Sequence, residues 1–186
     1  MALSLIKSES LAANAGTNVL EQLSMLCDGQ SYTVSSGTYT SQNVTALQIL
    51  DLSFTDVTGS TISYTPPTGA TCVVYEFCFN AHGYNQNLAI SSHKFFIDSD
   101  EVVYQRRNVG SNVYQEFQTF RSIIPIGGSA DTNTGRQATW TSAKTLKLQA
   151  RAYSDAADAK LHSTSYWEGA AANHFHIPSL NITALG

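Results

Sequence analysis

Apolar and polar residues alternate along most of this chain with the two-residue period of β-strands. The alternation is clearest in Thr145–Tyr153, where Leu and Ala residues share one side and polar residues share the other. Cys72–Asn80 is the most apolar candidate strand, and we expect it in the middle of a sheet. Leu180–Leu185 also alternates regularly and is predicted to be a buried central strand, with Leu180, Ile182 and Ala184 pointing inward.

Turn residues recur about every eight to twelve positions, a spacing that is typical of a β-sandwich. The other candidate strands are Gln30–Val34, Tyr39–Val44, Ala46–Phe54, Thr58–Tyr64, His93–Ile97, Glu101–Arg107, Val113–Ile126, Thr139–Trp140 and Lys160–Trp167. Hairpins are predicted across Ser35–Gly37 and Asp98–Asp100. Pro66 and Pro67 mark a boundary, because proline cannot donate a ladder hydrogen bond.

One segment has a helical pattern. Asn18 and Glu21 have the spacing of a capping box, and Gly29 can end the helix. Four apolar residues fall on one helical side, namely Val19, Leu20, Leu23 and Leu26. We therefore predict a short helix over Val19–Cys27, followed by about ten antiparallel strands. The predicted fold is all-β, a two-sheet jelly roll over residues 18–186, with residues 1–17 as an N-terminal attachment arm.

Composition narrows the class of protein. The 186 residues suit one domain, and only 13% of them are charged. A net charge of −4 argues against a nucleic-acid partner. The longest apolar runs fall short of the roughly 18 residues that cross a bilayer, and the first residues lack the layout of a signal peptide. We expect a soluble protein that is made in the cytoplasm and does not insert into a membrane.

The three cysteines, Cys27, Cys72 and Cys78, have neither the spacing of a zinc site nor the density of a disulfide framework. If Cys72 and Cys78 share one strand, they lie roughly 20 Å apart, beyond the reach of a disulfide. We expect buried free thiols, which suit a reducing compartment.

Motifs for nucleophilic catalysis and for phosphate binding are missing from the sequence, so we predict no catalytic residue and no cofactor. Two groups of carboxylates could hold calcium or could serve as ordinary turn residues, and the second interpretation is favoured. They are Asp98, Asp100 and Glu101, and Asp155 and Asp158. The neighbouring cations Arg106, Arg107 and Lys144 are expected to be ion-paired or solvated.

His174 and His176 alternate around Phe175 and would point the same way on a strand. Three copies meeting on a threefold axis would supply six imidazoles, an octahedral set for a transition metal. The favoured alternative is a pair of surface histidines flanking a buried Phe175. Three further aromatic residues could stack on a sugar or cover a subunit contact, although packing is favoured. They are Tyr153, Tyr166 and Trp167.

Several segments resemble structural proteins of tailed bacteriophages, especially marine phages. They are Ile62–Thr71, Val73–Phe77, His93–Asp98, Ala143–Arg151 and Lys160–Gly169. The resemblance extends from about Asn18 to the C-terminus. The layout also resembles the jelly-roll heads of complement-type and tumour-necrosis-factor-like trimers, in which a hydrophobic face packs around a threefold axis.

The resemblance implies a non-enzymatic virion protein on the particle surface, made in the host bacterial cytoplasm. Its implied partners are two further copies of itself and other virion proteins, such as the major capsid protein or tail components. The short chain favours a capsid decoration protein or head fibre over a tail fibre, which needs a long shaft. The alternative is a receptor-binding tail-fibre tip or adaptor that recognises a host-surface glycan. A depolymerase ranks third, because it would need a carboxylate pair in a groove.

Overall fold

The structure is a computed structural model that describes residues 18–83, 89–111, 116–154, 159–164 and 175–186. The predicted N-terminal arm, residues 1–17, lies outside the described residues. Within these ranges the chain forms fourteen β-strands, a 3-10 helix at Val103–Gln105 and no α-helix. The strands are β1 Val19–Leu26, β2 Ser31–Val34, β3 Gly37–Thr40, β4 Gln48–Ile49, β5 Thr55–Asp56, β6 Ile62–Tyr64, β7 Cys72–Gly83, β8 Ala89–Ile97, β9 Asp100–Glu101, β10 Arg107–Ser111, β11 Glu116–Pro125, β12 Lys144–Ala152, β13 Ala159–Leu161 and β14 Ser179–Leu185.

Two antiparallel sheets form the sandwich, and a small hairpin of β2 and β3 lies beside them. Sheet A has the order β1-β14-β7-β13-β4, and β11 pairs with the other edge of β7. Sheet B has the order β10-β8-β12-β5, with β6 beside β12 and β9 beside β8. The chain crosses between the sheets from β7 to β8, from β10 to β11 and from β11 to β12, so the predicted all-β jelly-roll sandwich is confirmed.

The inward sides of three strands supply much of the core, as the alternation predicts. β7 buries Val73, Tyr75, Phe77 and Phe79, β12 buries Leu146, Leu148, Ala150 and Ala152, and β14 buries Leu180, Ile182 and Ala184. Ring contacts join the sheets, with the centroids of Tyr75 and Phe95 lying 5.0 Å apart. β14 lies between β1 and β7, so Leu180–Leu185 is the buried central strand that the sequence predicts.

The predicted helix over Val19–Cys27 is wrong, because this segment is strand β1. Burial alternates along it, with Glu21, Leu23 and Met25 inward and the intervening residues outward. The apolar residues Leu20 and Leu26 that suggested a helical side are 40% and 51% exposed. Pairing with β14 satisfies the backbone of β1 within sheet A, and this long-range pairing outweighs the local helical pattern.

Glu21, read in the sequence as a capping residue, is instead a buried carboxylate that anchors the β2–β3 hairpin. Its oxygens accept hydrogen bonds from the Ser35 hydroxyl (2.5 Å), the Ser36 backbone N–H (2.8 Å) and the Tyr64 hydroxyl (2.8 Å). Burial acts to raise the pKa of this carboxyl, but the hydrogen bonds outweigh burial and hold the pKa below its ordinary value. The charge is therefore satisfied inside the fold.

Several predicted strands differ from the observed ones. Glu101–Arg107 is mostly the 3-10 helix Val103–Gln105 between β9 and β10, and Thr58–Tyr64 is a strand only over β6. Thr139–Trp140 is not a strand. The Trp140 ring is buried outside both sheets, and its indole N–H donates to the Tyr64 carbonyl (3.2 Å). Ala46–Phe54 contributes only the two residues of β4, and its chain turns so that the Leu50 N–H reaches the Ala159 carbonyl. The Lys160–Trp167 prediction is met only by β13, and residues 165–167 lie outside the described residues.

We predict that Ile182→Ala lowers the free energy of unfolding by about 2–4 kcal/mol, because it leaves a cavity in the middle of sheet A. Ile182 is fully buried between its strand neighbours Leu23 and Tyr75. Urea unfolding at a fixed protein concentration measures the change. The control is Ile49→Ala, at a side chain that is 66% exposed, and its effect is expected to stay within about 0.5 kcal/mol. Equal effects of the two substitutions would contradict the central position of β14.

Candidate functional site

The outer side of sheet A forms a continuous four-stranded surface from β1, β14, β7 and β11. Strand register aligns its outward residues in three rows across the sheet. The rows are Gln22-Thr183-Val74-Ile123, Ser24-Asn181-Glu76-Arg121 and Leu26-Ser179-Cys78-Thr119. We call these twelve residues the A face.

Glu76 and Arg121 are the two charged residues among the twelve of the A face. They lie opposite each other on β7 and β11, with 3.9 Å between the Arg121 Nε and a Glu76 carboxylate oxygen. Both side chains stay partly exposed. A pair at this distance and exposure contributes little to stability, so it leaves both groups available to a partner.

Exposed apolar side chains surround this pair. Ile123 is 52% exposed and Leu26 is 51% exposed, at opposite edges of the A face. Phe117, 59% exposed, extends the apolar surface along β11. Together they make the A face the more apolar of the two outer surfaces and a candidate contact region.

A shallow depression of about 330 Å³ lies in the middle of the A face. Polar side chains from four adjacent strands line it, together with Val74 and Leu185. These polar residues are Gln22, Glu76, Arg121, Asn181 and Thr183. The depression therefore combines one ion pair with neutral hydrogen-bonding groups.

The outer side of sheet B has a different character, because ion pairs cover it. Lys94 binds Glu101 at 3.0 Å, and Lys147 binds Asp56 at 2.9 Å. The Lys94 ammonium also lies 4.4 Å from the centroid of the Phe54 ring. The A face carries one ion pair among twelve residues, fewer charges than the outer side of sheet B, so it is the better candidate for contact with protein.

The burial of the cysteines differs from the prediction, because one of the three thiols is buried and two are half-exposed. Cys27 is buried, its thiol lies 3.3 Å from the Gly59 carbonyl oxygen as a hydrogen-bond donor, and burial raises its pKa to about 12. Cys72 and Cys78 are free but half-exposed, because both point outward from β7. The strand alternation that buries Val73 and Phe77 necessarily turns both thiols to the outer side of sheet A.

His176 lies at the edge of sheet A. Its backbone N–H donates to the His162 carbonyl at 2.7 Å, and its ring packs against Phe117 with the centroids 6.0 Å apart. Partial burial lowers the pKa of this imidazole. Phe175, predicted to be buried, is half-exposed, and His174 lies outside the described residues. The described part of the chain brings together no group of three metal-ligating side chains, and the axial site of His174 and His176 stays a prediction.

The turn carboxylates bind cations and backbone groups. Asp98 accepts the Thr145 backbone N–H at 2.8 Å and lies 3.3 Å from the Lys144 ammonium. Glu101 binds Arg106 as well as Lys94, and these contacts lower the pKa of its carboxyl. Asp100 is in β9, whereas Asp155 and Asp158 lie outside the described residues.

Among the predicted aromatic residues, Tyr153 is 66% exposed at the end of β12, and Tyr166 and Trp167 lie outside the described residues. The sequence interpretation missed the A face itself. Its signal is present, since the outward positions of β14 are Ser179, Asn181 and Thr183, without a charge. Assigning β1 to a helix concealed the fourth strand of this surface.

Among the described residues, no helix has the length and apolar character needed to cross a membrane. The chain matches no protein-family model and no curated protein sequence. A solved structure described as "Structure of infectious bursal disease virus Gt strain" aligns with 84% of this chain and 43% of its own chain, at 11% identity and a TM-score of 0.27. This chain thus spans less than half the length of the chain it aligns with, and no conclusion rests on that alignment.

Proposed function

We propose that this chain is a non-enzymatic structural subunit of a virus particle and that it forms a homotrimer through the A face. The observation that carries the proposal is the A face itself, a four-stranded surface with exposed apolar residues and one loose ion pair. The resemblance of the chain's segments to phage virion proteins supports the particle as its setting. The likeness of its layout to trimeric jelly-roll heads supports the threefold assembly.

Another copy of this chain is the partner that best fits the A face. Contacts in a threefold ring join two different patches, so the edge of the A face that carries Ile123 on one copy would pack against the edge that carries Leu26 on the next copy. Glu76 and Arg121 provide both signs of charge, so Arg121 of one copy could pair with Glu76 of the next copy around the ring. The ion-paired outer side of sheet B would then face solvent.

On the particle, we propose a capsid decoration or head-fibre role rather than a tail-fibre tip. A trimer of single-domain subunits is compact, and many copies on a lattice gain strength from multiple weak contacts. The residues before Asn18 are proposed to attach the trimer to the major capsid protein. The alternative is a tail position with a host-surface glycan as ligand. The particle experiment below distinguishes the two positions by copy number.

The purified chain is predicted to have a mass of about 60 kDa by light scattering, three times the 20.1 kDa of one chain. Ile123→Glu adds a charge to the A face and is expected to shift the mass towards 20.1 kDa, because a buried unpaired carboxylate opposes association. Leu52→Glu is the matched control, since Leu52 is 50% exposed and lies outside the A face. A monomer at micromolar concentration, or equal effects of the two substitutions, would refute the assembly.

Gel densitometry of purified particles is predicted to give at least about one copy of this chain for every ten major capsid subunits, because decoration requires many copies per lattice. The major capsid band of the same lane is the internal standard. A ratio of a few copies per hundred capsid subunits would assign the chain to the tail, and absence from washed particles would contradict a virion role.

A further inference from the structure

A groove of about 360 Å³ lies at the end of the sandwich, where two connections between the sheets run side by side. One connection leads from β6 to β7, and the other leads from β11 to β12. Eleven residues line the groove, and none of them is charged. Its volume is at the lower end of the range for binding pockets, which suits a few side chains of a peptide. The groove is therefore a candidate site for an uncharged chain segment.

Apolar surface and hydroxyl groups share the lining of this groove. Pro66 is buried and Trp140 is 5% exposed, so both present only part of their surface to an occupant. The Trp140 indole N–H already donates to the Tyr64 carbonyl at 3.2 Å, and the ring therefore offers the groove apolar surface. The lining also includes the exposed residues Thr68 and Thr139. Their hydroxyls can donate to and accept from the peptide groups of an extended segment.

The described chain starts beside this groove. The Asn18 carbonyl accepts the Gly186 N–H at 2.8 Å, so the start of β1 lies next to the end of β14. The Leu185 carbonyl in turn accepts the Thr71 N–H at 2.8 Å, and Thr71 directly follows the groove residue Ala70. Two strand spacings, roughly 10 Å in total, therefore separate Asn18 from the nearest wall of the groove.

The residues just before Asn18 match the groove in charge and in reach. Leu11–Thr17 has one large apolar residue, its leucine, followed by small or neutral residues, and it carries no charge. Seven residues extend to at most roughly 23–25 Å, which more than covers the distance to the groove. A tether this short keeps the segment at an effective concentration of about millimolar, whereas a separate partner has no such advantage. The chain's own segment is therefore favoured over a second copy or another protein as the occupant.

We propose that this groove binds the chain's own Leu11–Thr17 segment, with the leucine side chain against Pro66 and Trp140. The charged residues Lys7 and Glu9 stay outside, because an uncharged groove offers a buried charge no partner. The small residues after the leucine span the distance between the groove and the start of β1.

Docking fixes the point from which residues 1–10 leave the sandwich. That point is the end of the sandwich at which β6 joins β7 and β11 joins β12. The consequence for attachment rests on the proposed function, which assigns contact with the major capsid protein to the residues before Asn18. A docked segment would direct residues 1–10 to the capsid from one end of the subunit. The docking itself requires neither a trimer nor a particle.

Limited proteolysis of the full-length protein, followed by mass spectrometry, tests the docking. Elastase accepts small residues at its cleavage point, and Ala15 lies in the docked segment. A protease needs the chain extended in its own active site, so elastase cuts after Ala15 only when the segment has left the groove. Trypsin cleavage after Lys7 is the internal control, because Lys7 lies outside the docked segment.

Two variants remove the docking from its two sides. Thr139→Glu puts a carboxylate into the groove, and Leu11→Asp replaces the apolar anchor with a charge. Each is expected to speed elastase cleavage after Ala15 at least roughly tenfold, while trypsin cleavage in the same variant changes by less than about threefold. The matched controls are Thr45→Glu, at an exposed threonine outside the groove lining, and Leu5→Asp, outside the docked segment. Both controls are expected to be cleaved at the rate of the native protein.

Three results would overturn the docking. The first is cleavage after Ala15 in the native protein as fast as in Thr139→Glu and Leu11→Asp. The second is an effect of Leu11→Asp without an effect of Thr139→Glu, which would place the segment outside the groove. The third is an equal effect of Thr139→Glu and its control Thr45→Glu.

The Ile123→Glu variant separates this inference from the proposed trimer. Slow elastase cleavage is expected to persist in that variant whatever its mass, because the segment docks on its own chain. Loss of the protection together with loss of the trimer would assign the segment to the groove of a neighbouring copy and would contradict the proposal. A native protein that is monomeric but protected would refute the trimer and leave the docking supported.

Discussion

The antiparallel pairing of β14 between β1 and β7 is the constraint on which the rest of the structure depends. It places the last strand of the described chain between β1 and β7 in sheet A and buries Ile182 in the core. Because strand side chains alternate, the same pairing fixes which residues face outward. The A face is therefore a direct consequence of how the core is closed, and β1 and β11 border it.

The two outer surfaces of the sandwich differ in the charge and polarity of their side chains. Sheet B holds its charges in ion pairs such as Lys94 with Glu101 and Lys147 with Asp56, which suits contact with water. Sheet A exposes Ile123, Leu26 and neutral polar groups, which suits contact with protein.

The sequence predicted the sandwich because its strands obey the two-residue period wherever both sheets enforce it. Thr145–Tyr153 and Leu180–Leu185 show this most clearly. The error at β1 has a physical cause: Val19, Leu20, Leu23 and Leu26 satisfy a helical spacing locally, and only pairing with a strand more than 150 residues away in the chain decides against it. The sequence shows only the uncharged outward row of β14, and the rest of the proposed contact surface could not be predicted because it requires strands that are distant in sequence.

The central claim is that copies of this chain cover the A face, and the outward thiols of that surface report on it most directly. Cys78 belongs to the A face and is half-exposed in a single chain, whereas Cys27 is buried within the same chain and serves as the internal reference. Alkylation by N-ethylmaleimide, followed by mass spectrometry, compares the native protein with the Ile123→Glu variant. The account predicts that Cys78 reacts at least roughly tenfold more slowly in the native assembly, with Cys27 unreactive in both. Equal rates at Cys78 in the two proteins would contradict it.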